Sequence, residues 1–254
     1  MRPYHPEMVV ALLVTLVALV VVTVHTRRPP LAPVPDLDGF LGRWETLHDG
    51  ADARASRLVR GWLSVVYRLA RPVAVAGVQP DVVTAWTLWL ALAVVALARA
   101  GGGWAVAAGV VLVISGLGDA LDGAVAALTG RATAWGYVLD SVVDRLTEVL
   151  YLVAAWIAGA PAGIAIASGV AFWLLEYLRA RAGNAGVDHV AVITVGERPQ
   201  RIICCAVAVG LAGSMPARAT LLGGLSLGVL LALSVAGLAQ LGAAVHREAD
   251  RTER

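Results

Sequence analysis

Long apolar runs constrain this chain more than any other feature of its sequence. A helix of about 20 apolar residues is long enough to cross a bilayer, and 59% of the residues are hydrophobic whereas 15% are charged. Lipid offers backbone groups no hydrogen bonds, so spanning segments must be helices or closed barrels. We therefore expect an all-α, polytopic membrane bundle. The expected spans are 8–24, 82–99, 104–124, 135–158, 161–178, 202–215 and 219–245.

The first span stands apart from the six core spans. A proline-rich stretch follows it and no small-residue cleavage site does, so we interpret it as an uncleaved anchor. The expected organisation is an N-terminal transmembrane anchor, an extended Pro-rich cytoplasmic linker, a membrane domain and a cytoplasmic tail. Their predicted boundaries are 1–26, 27–54, 55–246 and 247–254.

The membrane domain is predicted to begin with an amphipathic helix over 55–76. Arg57, Arg60, Ser64, Arg68 and Arg71 recur at steps of three and four residues. The opposite face is predicted to carry Trp62, Val65, Val66, Leu69 and Val73. This pattern is typical of a helix in the membrane interface, with arginines towards anionic head groups.

The distribution of arginine predicts the topology. All 20 basic residues are arginines, and eight of them lie between Arg27 and Arg71. Among the loops between core spans, those expected on the opposite side carry only Arg99 and Arg218. Positive charge favours the cytoplasm, so we expect a multi-pass protein of the cell membrane with a cytoplasmic active site. No nucleic-acid partner is expected.

Two pairs of acidic residues carry the predicted chemistry. Asp119 and Asp122 lie near the end of the second core span, and Asp140 and Asp144 near the start of the third. Spacings of three and four residues put each pair on one helix face. A short connection makes the helices antiparallel neighbours, so all four carboxylates are expected to converge near the cytoplasmic surface.

Four converging carboxylates need compensation, because each charge inside a membrane costs roughly 2.5–3.5 kcal/mol on insertion scales. Arg131 and Arg145 are too few to neutralise them. Carboxylates are ligands for hard divalent cations, and two such ions about 4 Å apart assist phosphoryl-type transfer. We predict a site for two Mg²⁺ or Mn²⁺ ions; the alternative is ordinary helix-end charges in water.

The same segment resembles the CDP-alcohol phosphotransferase signature, D-x2-D-G-x2-A-R-x8-G-x3-D-x3-D. The matching positions are Asp119, Asp122, Gly123, Ala126, Gly136, Asp140 and Asp144. Looser similarity extends from about residue 71 to residue 201. The resemblance implies a homodimeric, metal-dependent enzyme of phospholipid synthesis that uses CDP-diacylglycerol and releases CMP.

The resemblance also implies roles for individual residues. Asp119, Asp122 and Asp140 would hold the metals, and Asp144 would bind metal and take the proton from the acceptor hydroxyl. The implied contacts to the CDP donor are Pro80, Asp81, Val82, Val83, Gly123, Thr133 and Gly136. One position departs from the signature, since its donor-holding arginine is Ala127 here. We hypothesise that Arg131, one turn further on, reaches the same phosphates.

Four arginines around the loop between the fourth and fifth core spans are candidates for binding the acceptor. They are Arg179, Arg181, Arg198 and Arg201. Guanidinium groups suit a phosphate, whereas positive-inside bias explains them equally well. RARAGNAG and GERPQR resemble actinobacterial phosphatidylinositol phosphate synthases, which favours inositol phosphate. Asp188 and His189 of this loop are interpreted as solvated, and Glu148 as orienting Asp144 or pairing with Arg145.

Other functions stay open at this level. Glycerol phosphate is an alternative acceptor, and a membrane prenyltransferase also pairs aspartate motifs around metal-bound diphosphate. A non-catalytic relative or a cation-transport protein would keep the acids as well, and Ala127 favours that reading.

Overall fold

The computed structural model describes residues 6–47, 56–187 and 194–252. All regular secondary structure in these ranges is helical, which confirms the expected all-α class. A 3-10 turn at Pro216–Arg218 precedes the last helix. The α-helices are α1 (Pro6–His25), α2 (Leu37–Leu47), α3 (Arg57–Val75), α4 (Pro80–Ala100), α5 (Gly103–Thr129), α6 (Ala134–Ala158), α7 (Ala162–Asn184), α8 (Arg198–Ser214) and α9 (Ala219–Thr252).

Five helical segments of the described chain are long and apolar enough to cross a membrane: α1, α4, α5, α7, and α9 with its preceding turn. The chain is therefore a multi-pass membrane protein. The other two expected spans differ for identifiable reasons. Helix α6 has 25 residues but carries four charged residues between 140 and 148, and α8 has 17 residues.

The helices form two compact units, which we name by the residues they carry. The aspartate unit comprises the described residues within His5–Leu90 and Ile114–Leu146, and it holds all four predicted metal-binding aspartates. The arginine unit comprises mainly Ala91–Val113 and the described residues from Thr147 onward, and it holds all four predicted acceptor arginines.

Helix α3 packs into the core of the aspartate unit through one face. Leu63, Val66, Ala70 and Ala74 are buried there, whereas Trp62 and its neighbours on the other apolar face are exposed. The expected single apolar face is therefore divided, with Val66 towards protein and Trp62, Val65 and Leu69 turned outward. The outward face is suited to lipid.

The expected linker contains a helix that the sequence pattern did not predict. Asp36 caps α2, because its Oδ1 accepts a hydrogen bond from the Gly39 N–H at 2.9 Å. Phe40 and Leu41 on this helix are completely buried. The prolines of the linker, at positions 29 to 35, precede α2 and lie outside helices. Residues 48–54 of the predicted linker lie outside the described residues.

Helix α9 packs against α7 and α8 in the arginine unit. Close approach of backbones elsewhere in this unit depends on glycine: a Cβ atom on Gly213 would lie 2.7 Å from the Gly102 carbonyl oxygen. Helix α9 continues to Thr252, so the described part of the predicted tail extends this helix.

Candidate active site

Three of the four predicted aspartates converge. Asp119 on α5 and Asp140 and Asp144 on α6 each offer a carboxylate oxygen, and these oxygens lie within 4.8 Å of one another. All three side chains are half-buried. The helices are joined by a short turn over 130–133 that contains Gly130, whose φ of +70° suits glycine. This turn brings the acidic faces together.

Asp122 is held differently from the other three aspartates. It is 5% exposed, and its Oδ2 accepts a 2.6 Å hydrogen bond from the Thr84 hydroxyl on α4. Its Oδ1 accepts a second bond of 2.6 Å from the Gly123 N–H. Asp122 interacts electrostatically with Asp140 and Asp119. It therefore borders the three-carboxylate cluster, with its orientation determined by α4.

Asp144 has a cationic neighbour. Arg145 Nη2 lies 3.8 Å from Asp144 Oδ2, and both side chains are about one-fifth exposed. The pair places positive charge at the rim of the carboxylate cluster. Both groups are half-buried, so the attraction is screened less than it would be at an open surface.

The predicted donor-binding residues lie at the beginnings of α4 and α6. Pro80 is the first residue of α4, a favourable position because proline has no N–H to satisfy. Thr133 caps α6, since its Oγ1 accepts a 2.9 Å bond from the Gly136 N–H. A Cβ atom on Gly136 would lie 3.5 Å from Asp81 Oδ1, which shows that the two helix beginnings meet.

The remaining donor candidates divide into open and buried positions. Gly123 is exposed, and a Cβ atom there would have no heavy atom within 4 Å, so a ligand has room to approach. Val82 and Val83 are buried in the core of the aspartate unit. Their side chains therefore serve packing, and any contact with the donor from these two residues has to come from the backbone.

The arginines near Ala127 are arranged in an unexpected way. Arg131 Nη2 donates a 2.8 Å bond to the Pro29 carbonyl oxygen. Arg43, on α2, donates from Nη1 to the carbonyl oxygens of Ala127 and Leu128 at 3.0 and 3.2 Å. Sequence reasoning missed Arg43, because no local pattern connects residue 43 with residue 127.

Arg201 lies at the centre of a buried charge network in the arginine unit. Its side chain is 2% exposed and bonds Glu148 Oε1 at 2.9 Å and Glu176 Oε1 at 2.7 Å. Nε donates to the Gly196 carbonyl oxygen, and the guanidinium lies 5.0 Å from the centre of the Phe172 ring. The structure thus directs this guanidinium into the protein and links α6, α7 and α8 through it.

Arg179 extends the network towards the surface. Its Nη2 bonds Glu197 Oε1 at 2.8 Å. Burial raises the pKa of Glu197, but hydrogen bonds from the Thr194 hydroxyl and N–H and from Arg179 outweigh it and lower the pKa below its usual value. Glu197 therefore stays ionised near neutral pH and keeps Arg179 in place.

The other two acceptor candidates differ in accessibility. Arg181 is exposed near the end of α7. Arg198 is half-buried at the start of α8, and its Nη2 lies 3.4 Å from Thr147 Oγ1. Asp188 and His189 lie outside the described residues.

The donor set of the aspartate cluster fits hard divalent cations. Three carboxylate groups in close proximity repel one another, and Mg²⁺ or Mn²⁺ relieves this repulsion by accepting oxygen ligands. The described residues around the cluster supply carboxylates rather than thiolates or imidazoles, which argues against a zinc site. The predicted metal chemistry is consistent with this geometry.

Known proteins are similar to this chain over most of its membrane domain. The family model for CDP-alcohol phosphatidyltransferase matches residues 77–244. An archaetidylinositol phosphate synthase of Aeropyrum pernix is 32% identical over 154 residues, which cover 58% of this chain and 70% of the relative. A phosphatidylinositol phosphate synthase of Cutibacterium acnes is 30% identical over 163 residues, covering 60% and 76%.

Solved structures with a similar fold include two of a Mycobacterium tuberculosis phosphatidylinositol phosphate synthase. The one in complex with manganese and citrate is 25% identical, with a TM-score of 0.57, and the match covers 71% of this chain and 88% of that chain. The one with CDP-DAG bound is 26% identical, also with a TM-score of 0.57, and the match covers 72% and 94%.

Proposed function

The chain belongs to the CDP-alcohol phosphatidyltransferase family, and we propose that it transfers a phosphatidyl-type group from CDP-diacylglycerol to inositol phosphate, with release of CMP. The convergence of Asp119, Asp140 and Asp144 within 4.8 Å is the observation that carries this proposal. Relatives from archaea and bacteria are named for inositol phosphate chemistry, which supports the choice of acceptor.

We propose that the aspartate cluster holds two Mg²⁺ or Mn²⁺ ions. Asp119, Asp140 and Asp144 would supply ligands directly, and Asp122 would add an oxygen whose position Thr84 determines. Bound dications would offset the charge of the donor diphosphate and stabilise the departing phosphate. Manganese in the mycobacterial relative supports this assignment.

Asp144 would act as the general base. Its carboxylate would take the proton of the acceptor hydroxyl as that oxygen bonds to the β-phosphorus of the donor. The bond between the β-phosphorus and the bridging oxygen would break, and its electron pair would leave with CMP. Arg145, 3.8 Å from Asp144, would hold the carboxylate in position for this transfer.

The acceptor phosphate would be bound by Arg181 and Arg198. Arg181 is exposed, so its guanidinium group can be approached from solvent. Arg198 is half-buried, and its Nε and Nη1 atoms are enclosed by the protein. Arg179 and Arg201 are engaged with glutamates and would hold the loop and the helices in place. Of the four predicted acceptor residues, two would therefore bind the phosphate and two would position the elements around it.

The proposal also includes the cellular location and the oligomeric state. We place the protein in the plasma membrane, and the distribution of arginine supports an active site on the cytoplasmic side. The resemblance favours a homodimer. Helices α6 and α7 present exposed aromatic side chains along a groove of about 710 Å³, including Trp156, Trp173 and Tyr177. Cross-linking between single cysteines at Ile166, within this groove, would test whether two copies meet there.

The decisive experiment measures CMP release by the purified protein. CDP-diacylglycerol and Mn²⁺ would be supplied with inositol phosphate, glycerol phosphate, inositol or serine. We expect turnover with inositol phosphate, loss of turnover after chelation, and no turnover by Asp144→Asn. Preference for glycerol phosphate or for an unphosphorylated alcohol would overturn the acceptor assignment. No CMP release with any acceptor would indicate a non-catalytic relative.

A further inference from the structure

The segment from residue 28 to residue 47, which we call the N-terminal strap, is attached to the aspartate unit by its own backbone. The Arg28 N–H donates to the Gly77 carbonyl oxygen at 2.9 Å, and the Leu31 N–H donates to the Thr129 carbonyl oxygen at 3.1 Å. A Cβ atom on Gly77 would lie 2.7 Å from the Arg28 carbonyl oxygen. The strap therefore lies directly against two turns of the protein.

Those two turns lead into the helices that begin with the donor-binding candidates. Gly77 precedes α4 and its first residue Pro80, and Thr129 precedes the Thr133 cap of α6. The Arg131 side chain also bonds the strap, at the Pro29 carbonyl oxygen. The strap lies outside the part of the chain that the family model matches, residues 77–244, yet it borders the proposed donor site.

Helix α2 brings a guanidinium next to the backbone of Ala127, the residue at which the family signature has an arginine. Phe40 and Leu41 belong to the same buried cluster as Ala127, so α2 occupies space beside this small residue. Arg43 then bonds the carbonyl oxygens of Ala127 and Leu128. Ala127 is one turn beyond Gly123, about 6 Å along the helix axis, and the surroundings of Gly123 are open.

We propose that Arg43 is a donor-binding residue, whose guanidinium contacts the diphosphate of the CDP-linked donor in place of an arginine at position 127. This inference rests on the proposed function. Within the described part of the chain, Arg43 donates its hydrogen bonds from Nη1 alone, which leaves Nη2 and Nε for phosphate oxygens. A planar guanidinium can bond carbonyl and phosphate oxygens together.

A purely structural role is the competing explanation. Ala127 and Leu128 belong to the last turn of α5, whose carbonyl groups have no partner within the helix, so Arg43 also caps this helix end. Capping alone would affect stability and leave donor affinity unchanged. Glutamine separates the two roles, because its amide can still donate to a carbonyl group but carries no charge.

The test compares Arg43→Gln, Arg43→Lys and the control Arg27→Gln in the full-length protein. Arg27 is exposed and lies beside the strap, so its replacement removes the same charge without touching Ala127. The KM for CDP-diacylglycerol, the KM for inositol phosphate, kcat and the thermal midpoint would be measured. For Arg43→Gln we expect the donor KM to rise about ten- to a hundredfold, with a near-normal midpoint and acceptor KM.

Arg43→Lys should raise the donor KM less than Arg43→Gln, because the charge is kept but the fork is lost. It also keeps the proposal testable if Arg43→Gln does not fold. An unchanged donor KM in either folded variant, with only a lower midpoint, would overturn the donor-binding role. Absence of turnover in the wild-type protein would count against the proposed function instead.

Discussion

The Thr84 hydroxyl donates a 2.6 Å hydrogen bond to Asp122 Oδ2, which ties α4 to the acidic face of α5. Both side chains are buried, at 4% and 5% exposure. The bond determines how one carboxylate faces the cluster of Asp119, Asp140 and Asp144. Groups that orient metal ligands in this way contribute to metal affinity without touching the metal.

Replacing Thr84 with valine removes this bond while keeping a similar shape. We expect the Mn²⁺ concentration for half-maximal activity to rise about ten- to a hundredfold, as measured by a metal titration of CMP release. Thr87→Val is the matched control, because the Thr87 hydroxyl bonds the Val83 carbonyl of its own helix. Equal metal requirements in both variants would contradict an orienting role for Thr84.

The three clustered aspartates should be needed for both metal binding and turnover. We expect Asp119→Asn, Asp140→Asn and Asp144→Asn each to lower kcat about a hundredfold or more. In wild-type protein, Mn²⁺ at 100 times its Kd should add about 2.7 kcal/mol of stability, and each variant should lose most of this gain. Asp250→Asn, at an exposed position of α9, serves as the control for both measurements.

Arg201 should act chiefly on stability. Arg201→Met removes a cation from between Glu148 and Glu176, and breaking a buried ion pair costs about 3–5 kcal/mol. We expect a lower thermal midpoint, partly restored when Glu148→Gln is added to the same protein. A variant with a normal midpoint and a selectively raised acceptor KM would show instead that Arg201 binds the acceptor.

Arg181 and Arg198 should determine affinity for a phosphorylated acceptor. We expect Arg181→Gln and Arg198→Gln each to raise the KM for inositol phosphate about tenfold. A hydrogen bond to a charged group contributes roughly 1.5–3 kcal/mol, and each substitution should remove a part of that contribution. The donor KM should stay unchanged. Arg218→Gln, an exposed arginine in the turn before α9, provides the comparison, and an equal effect there would point to general electrostatics.

Helices and the acidic motif were predictable because both depend on local spacing. Apolar runs placed the first residues of α4 to α9 within four residues of the observed ones, whereas α5, α7 and α9 continue five to seven residues beyond the predicted spans. The step of four residues put Asp140 and Asp144 on one face of α6, and the short connection to α5 put Asp119 within reach of them. Helix α2 was not predicted, because prolines precede it and its apolar side is too short to form a recognisable pattern. Its stability comes from the burial of Phe40 and Leu41 against residues far along the chain.

The sequence by itself determined the solvent and the chemistry: apolar length requires a bilayer, and repeated carboxylates at helical spacing require cations. Only the tertiary structure decided which charged groups are available. It buries Arg201 between two glutamates, turns Arg131 towards Pro29, and brings Arg43 to Ala127. Periodicity acts over a few residues, whereas the partner of a long flexible side chain depends on segments separated by up to 102 positions along the chain.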